Sequence, residues 1–361
     1  MIREHFETDS PAQNVVMFFI RECEEIGDCF LTEKKIYSAM NALSPFVHRT
    51  PIFTSETTNR IVGKKVYFKM ENQQKTGAFK IRGATYKIMQ LKREELKKGV
   101  ITASAGNHAQ GVAHAAKKAG TTATIFMPVH TPHAKIDATR NYGAKVVLTG
   151  ESFQEAYEAS LELQKETGAA YIHPFDDYDV MAGQGTIALE LLRQEDRIDT
   201  IFVPIGGGGL ISGIAVAVKT INPHIKVIGV QANGAAPVYD SFQKKKPTNW
   251  DRVSTIAEGI AVKQPGKSTL PIIMKYVDDV VTVTDEQIAA SILYMLERGK
   301  TLIEGAGAAS IAALFAYHHH FKSKHCGLIV SGGNIDLDEM SHIQKLAALN
   351  HVGSESIAIN S

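Results

Sequence analysis

Cysteine is scarce in this chain: Cys23, Cys29 and Cys326 are the only three in 361 residues. Three cysteines form no even disulfide framework, and their spacing lacks the close pairs of a zinc site, so a reducing cytoplasm is the expected setting. Charge of one sign is also missing. The chain has 39 Lys and Arg against 38 Asp and Glu, a formal net charge of +1. With the signs interspersed, it carries no electrostatic footprint for nucleic acid or an anionic membrane. Long apolar runs are absent near the start, where residues 15–20 fall far short of the roughly 20 that span a bilayer. That run follows Glu4, Glu7 and Asp9 rather than a basic segment, which argues against a secretory leader. No internal repeat is visible. The one charge run, Lys244-Lys245-Lys246 before Pro247, reads as a solvated loop.

What is present points to a packed enzyme-sized unit with a small ligand. A composition of 44% hydrophobic and 21% charged residues can bury a sizeable core, read here as one two-lobed α/β unit. From about Ser38 the chain alternates short β-branched runs with longer helical patterns, as in βα units around parallel sheets. Strands are expected at 66–70, 123–127, 145–149, 200–205, 227–231 and 327–331. A helix is expected at 132–142. Another begins at Thr284-Asp285, with an apolar period through Ile288, Ile292 and Leu296. Residues before about Leu31 read as an arm, a docked helix or an overlong start. The tail beyond Leu349 is too short for a separate sensing domain.

Four segments carry chemistry. In Thr76-Gly77-Ala78-Phe79-Lys80-Ile81-Arg82-Gly83 a lysine follows a small-residue turn and precedes an apolar run. Desolvation there would lower its pKa and free the amine as nucleophile or base, though most lysines are merely solvated. Ser104-Ala105-Gly106-Asn107-His108 follows a strand and opens a helix, which suits either a carboxylate site on free amides or a plain N-cap. Gly206-Gly207-Gly208-Gly209-Leu210 lies between a strand and a helix beginning near Ile211. Its successive amides can face one anion, naturally a phosphate, and it lacks the spacing of nucleotide-binding loops; the alternative is a flexible turn. Ser331-Gly332-Gly333-Asn334 ends an apolar strand and by itself reads as a turn. His318-His319-His320 reads as a solvated helix cap rather than a metal site.

In this order and spacing, and with His48-Arg49-Thr50-Pro51 ahead of them, the four segments resemble the serine/threonine ammonia-lyase branch of the fold-type II, tryptophan-synthase-like pyridoxal-phosphate enzymes, from about Ile36 to about Leu349. The resemblance implies two open twisted parallel-sheet lobes: a large one from 33–98 and 177–349, a small one from 99–176, with an extension at 1–32 and a tail at 350–361. It implies pyridoxal 5'-phosphate held as a Schiff base on Lys80, flanked by Phe79, with Asn107 on its 3-hydroxyl. It implies Gly206, Gly207, Gly208, Gly209 and Leu210 around the phosphate and the Ser331 hydroxyl at the pyridine nitrogen. The loop of Ser104, Ala105, Gly106, Asn107 and His108 would grip the substrate carboxylate.

A neutral hydroxyl at the ring nitrogen makes a weaker electron sink than a carboxylate would, which favours expelling a β-substituent. The implied reaction is loss of water and then ammonia from L-threonine or L-serine, with Lys80 as the base. Ala105 stands where racemising relatives carry a second acid/base serine. Gln231 stands where some relatives use an acid to hold a divalent ion, so no metal is expected. Nor is isoleucine feedback, which relatives run through further domains. A homo-oligomer, dimer or tetramer, is expected. Other reactions of the fold remain as alternatives: serine racemisation, β-replacement, and hydroxyaspartate or hydroxyectoine-pathway dehydration. A non-catalytic sensor would have no need of Lys80, Asn107 and Ser331 together.

Overall fold

The computed structural model describes residues 30–350. The extension expected at 1–32 therefore lies outside the described residues up to 29, and the tail at 350–361 lies outside from 351. In chain order the helices are α1 (Glu33–Leu43), α2 (Glu56–Val62), α3 (Lys80–Met89), α4 (Arg93–Lys98), α5 (Asn107–Ala119), α6 (His133–Asn141), α7 (Phe153–Thr167), α8 (Tyr178–Gln194), α9 (Gly209–Ile221), α10 (Pro237–Lys244), α11 (Thr269–Tyr276), α12 (Asp285–Glu297), α13 (Gly305–Tyr317) and α14 (Met340–Ala348). None among the described residues is long and apolar enough to cross a membrane.

Among the described residues ten strands form two sheets. The larger runs β1 (Ile52–Thr54), β2 (Lys65–Met70), β10 (His325–Val330), β7 (Thr200–Pro204), β8 (Lys226–Ala232), β9 (Asp279–Val283). All its pairings are parallel except β1 with β2, an antiparallel edge that the apolar runs did not announce. The last strand sits in the middle: β10 places Val330 opposite Met70 of β2 and Leu328 opposite Phe202 of β7. The smaller sheet is wholly parallel, in the order β5 (Lys145–Leu148), β4 (Ala123–Met127), β3 (Val100–Ala103), β6 (Ala170–Tyr171).

Helices cover both faces of the larger sheet, which is why β7 reads as an unbroken apolar run, buried throughout. Successive residues still alternate. Ile201 and Val203 point into one core with Ile211 and Ile214 of α9, while Phe202 points into the other with Leu314 of α13. Capping signals hold where they were clear: Thr284 accepts from the Gln287 amide while Gln287 returns a bond to Thr284 N, starting α12. The apolar period there ends sooner than expected, since Ile288 and Ile292 are buried but Leu296 is exposed. After α13 the His318 ring donates from Nδ1 to the Phe315 carbonyl at 2.9 Å, a helix-end cap. Lys244 and Lys245 are exposed where α10 stops.

Helix α3 joins the two units. Ile81 and Tyr86 belong to the core of the larger sheet, and Ala84 and Ile88 to that of the smaller. Glycines bring its neighbours close. A Cβ on Gly183 of α8 would lie 2.6 Å from the Gly83 Cα, and one on Gly111 of α5 would lie 3.1 Å from the Ile81 amide nitrogen. Under α3 lies a buried, charge-balanced cluster. Arg82 donates from Nε and Nη2 to the two oxygens of Glu71, each at 2.8 Å, and from Nη1 to Glu190 at 2.7 Å. Lys69 completes it, 2.7 Å from both Glu190 and the Thr50 carbonyl. Four charges out of water need such mutual satisfaction.

Candidate active site

Lys80 is the first residue of α3, and the turn before it is held from both sides. Phe79 N donates to the Ser331 carbonyl at 3.1 Å, Gly333 N donates to the Gly77 carbonyl at 2.9 Å, and Ala78 bridges Gly332. The segment that carries the lysine therefore runs beside the turn that follows β10. Ser331 is buried. The Lys80 amine donates to the Pro174 carbonyl at 2.7 Å and lies 5.4 Å from the Phe79 ring centroid. Burial pulls it down to about 8, against the opposing pull of the Glu304 carboxylate.

Across from it, β7 ends in the glycines that start α9. The helix begins at Gly209, two residues earlier than expected, and Gly208 precedes it at φ +101, a left-handed conformation that favours glycine. The N–H groups of Gly206, Gly207, Gly208, Gly209 and Leu210 have no acceptor among the described residues, so an anion at the helix's positive end would find them free. The glycines also serve packing. A Cβ on Gly207 would lie 2.4 Å from the Phe175 ring, one on Gly209 2.7 Å from the Phe175 carbonyl oxygen, and one on Gly206 3.2 Å from the Ile260 Cα. Phe175 belongs to a loop fastened by Asp176, whose carboxylate accepts from the amides of Lys267, Ser268 and Thr269 at the head of α11.

The loop after β3 supplies the third side. Ser104 Oγ accepts from the Gly106 amide at 3.3 Å, and Ala105 and Gly106 lead into α5 at Asn107. His108 is spent elsewhere: its ring is buried, with Nε2 donating to the Ile172 carbonyl at 2.8 Å. Desolvation, with help from the Lys80 charge, holds that imidazole down at about 3, so it is neutral. Its ring is thus not brought together with the other loop residues. Asn107 donates from Nδ2 to both carboxylate oxygens of Glu304, at 2.8 and 3.0 Å.

Glu304 was missed in the sequence, as were Pro174 and Phe175. It stands just before α13 without capping it, and desolvation pushes its carboxyl up to about 7 even though Asn107 draws it down. Its signal was there: a glutamate at a helix start, where Ser, Thr, Asp or Asn is preferred, ahead of Gly305-Ala306-Gly307-Ala308. Gln231, by contrast, is occupied structurally, with Oε1 accepting from Tyr239 N and Nε2 donating to the Ile205 carbonyl.

A partly neutral lysine, a cradle of unpaired amides, a buried serine and an amide side chain together fit a phosphorylated aldehyde such as pyridoxal phosphate. The model of the family described as "Pyridoxal-phosphate dependent enzyme" matches residues 43–332. This chain belongs to that family. Its fold is the fold-type II α/β architecture. Among its relatives is a protein named L-threonine ammonia-lyase from Thermotoga maritima, 48% identical over 313 residues, or 87% of this chain and 78% of the relative. The processed form of threonine deaminase isoform 2 from Solanum lycopersicum matches with a TM-score of 0.85 at 39% identity, covering 88% of each chain. Maize serine racemase matches with a TM-score of 0.83, also at 39% identity, covering 88% of this chain and 98% of that one.

Proposed function

We propose that this enzyme removes ammonia from L-threonine to give 2-oxobutanoate, and from L-serine to give pyruvate. Lys80 carries the reading. Its amine is drawn toward neutrality by burial and donates to the Pro174 carbonyl, next to the Phe175 that packs on Gly207 and Gly209, while Phe79 beside it bonds the Ser331 carbonyl. Pyridoxal phosphate, when bound, supplies an electron-withdrawing ring that stabilises negative charge at the α-carbon of an amino acid.

The chain's own residues do the rest. Lys80 would hold the cofactor through its amine, and the same amine would take the substrate's α-proton; roughly a tenth of an amine of pKa 8 is neutral at pH 7. The amides from Gly206 to Leu210 hold the phosphate, with Phe79 beside the ring. The loop of Ser104, Ala105, Gly106, Asn107 and His108 receives the substrate carboxylate, His108 through its backbone. Ser331 would offer the ring nitrogen a neutral hydroxyl, which would favour expulsion of the β-hydroxyl as water. Water then hydrolyses the released imine, so the net loss is ammonia. In this reading residues 99–176 form the small lobe and close over 33–98 and 177–349. The enzyme works in the cytoplasm as a homo-oligomer, a state that light scattering on the purified protein measures.

Release of 2-oxobutanoate from L-threonine tests the reading. Lys80→Ala should abolish both turnover and the absorbance of lysine-bound cofactor; full turnover in that variant would refute it. The likeness to maize serine racemase raises a second reading. Ala105 offers only a methyl group where a second proton carrier would be needed, so D-serine should not form from L-serine. Its formation as fast as pyruvate would replace the lyase with a racemase.

A further inference from the structure

Asn334 has no part in the chemistry above, yet it closes the turn that starts at Ser331. Its Nδ2 lies 2.7 Å from the Thr76 carbonyl oxygen and 2.8 Å from Oδ1 of Asn107. A backbone carbonyl can only accept, so the group facing Thr76 is the NH2 of Asn334, and its second hydrogen goes to Asn107. Asn107 must then present its oxygen to Asn334 and its own NH2 to the far side. There Nδ2 meets the two carboxylate oxygens of Glu304 at 2.8 and 3.0 Å. One carbonyl on the turn before Lys80 thus sets the direction of every donor through Asn334 and Asn107 to Glu304.

The turn is shaped to aim that carbonyl. Thr76 takes a left-handed φ of 68, one of three non-glycine residues with positive φ among those described, and Gly77 follows at φ 72. A Cβ on Gly77 would lie 2.3 Å from Oδ1 of Asn334, so the asparagine rests where only glycine leaves room. Four segments meet in this chain of bonds: the turn before Lys80, the turn after β10, the loop after β3 and the head of α13.

We propose that Asn334 and Glu304 are positioning residues that keep the NH2 edge of Asn107 turned toward the cofactor. Asn334 does so by occupying the amide oxygen, and Glu304 by drawing the amide nitrogen. This deepens the preceding reading and rests on it at one point, that Asn107 touches the cofactor.

The test uses holoenzyme without substrate, reading the dissociation constant and absorption spectrum of bound pyridoxal phosphate. Asn334→Asp, which sets an acceptor against two acceptors, is expected to weaken binding about tenfold and shift the absorption maximum; Asn334→Ala, which only removes the donor, about threefold. Glu304→Gln keeps an acceptor oxygen and should stay within about twofold, whereas Glu304→Leu should lose about tenfold. The deciding measurement is a cycle: Asn107→Ala with Asn334→Asp should bind no more weakly than Asn107→Ala alone. Asn334 is exposed, so its replacement should leave the protein folded, with a cooperative melting transition; should Asn334→Asp fail to fold, Asn334→Ala enters the same cycle. Additive losses, or an Asn334→Asp enzyme indistinguishable from the parent, would overturn the inference and leave the lyase reading intact. An Asn107→Ala enzyme with unchanged affinity and spectrum would overturn both the inference and the cofactor contact beneath it.

Discussion

Lys80 and Glu304 are displaced in opposite directions by the same cause. Removal from water penalises whichever form is charged, so the amine falls to about 8 and the carboxyl climbs to about 7, while each resists the other's shift. Two pH dependences follow. Covalent uptake of pyridoxal phosphate by the apoprotein needs the neutral amine, so its rate should rise about tenfold per unit at low pH and level off near 8, followed by cofactor absorbance. A plateau reached only above pH 10 would mean an ordinary solvated lysine. For Glu304 the carboxyl's ordinary value is 4.5. Between there and 7 the folded protein keeps a proton that the unfolded chain has lost, so this group's contribution to stability falls as pH rises through that window. Glu304→Gln removes the slope, and its apoprotein melting temperature should gain on the parent between pH 5 and pH 8.

At the scale of elements, α3 decides where Lys80 stands, and Arg82 decides where α3 stands. The guanidinium is fully buried between Glu71 beyond β2 and Glu190 of α8. Arg82→Met should cost about 3–5 kcal/mol by leaving the buried Glu71 carboxylate without its guanidinium and Glu190 with Lys69 alone, measured by denaturant unfolding. Gly183→Ala would drive a methyl into the α3 backbone and should cost about 1–3 kcal/mol, lowering kcat as well because Lys80 moves with the helix. Strand and helix positions were legible to within two residues where period and caps agreed, as at Thr284. The glycine loop was legible because four glycines between a strand and a helix have few other uses. The ion cluster was not, since Glu190 lies 108 positions from Arg82 and 121 from Lys69, and only the fold brings it to them. Glu304 was hidden similarly: its partner Asn107 is 197 positions away. His108 was legible at the start of a helix, but its ring direction depends on Ile172, which belongs to another segment.

Across the whole molecule, the two sheet units also touch away from α3. Lys135 of α6 pairs with Glu258 at 2.5 Å, beside the stretch that packs on Gly206. Glu258 is mostly exposed, so Lys135→Glu should change stability by less than about 1 kcal/mol. If the small unit closes over substrate, the same change should raise the KM for L-threonine, which steady-state kinetics would register. The strand order carries a consequence for how the protein is made. β10 lies between β2 and β7 but is translated after both, so a nascent chain holds two halves of a sheet with a vacancy between them until residue 330 has left the ribosome. The turn that begins with Ser331 emerges only then. A chain stopped at residue 320 should thus leave the ribosome without a cooperative melting transition, and the residues after it deliver both the centre of the sheet and the Ser331 turn that holds Phe79.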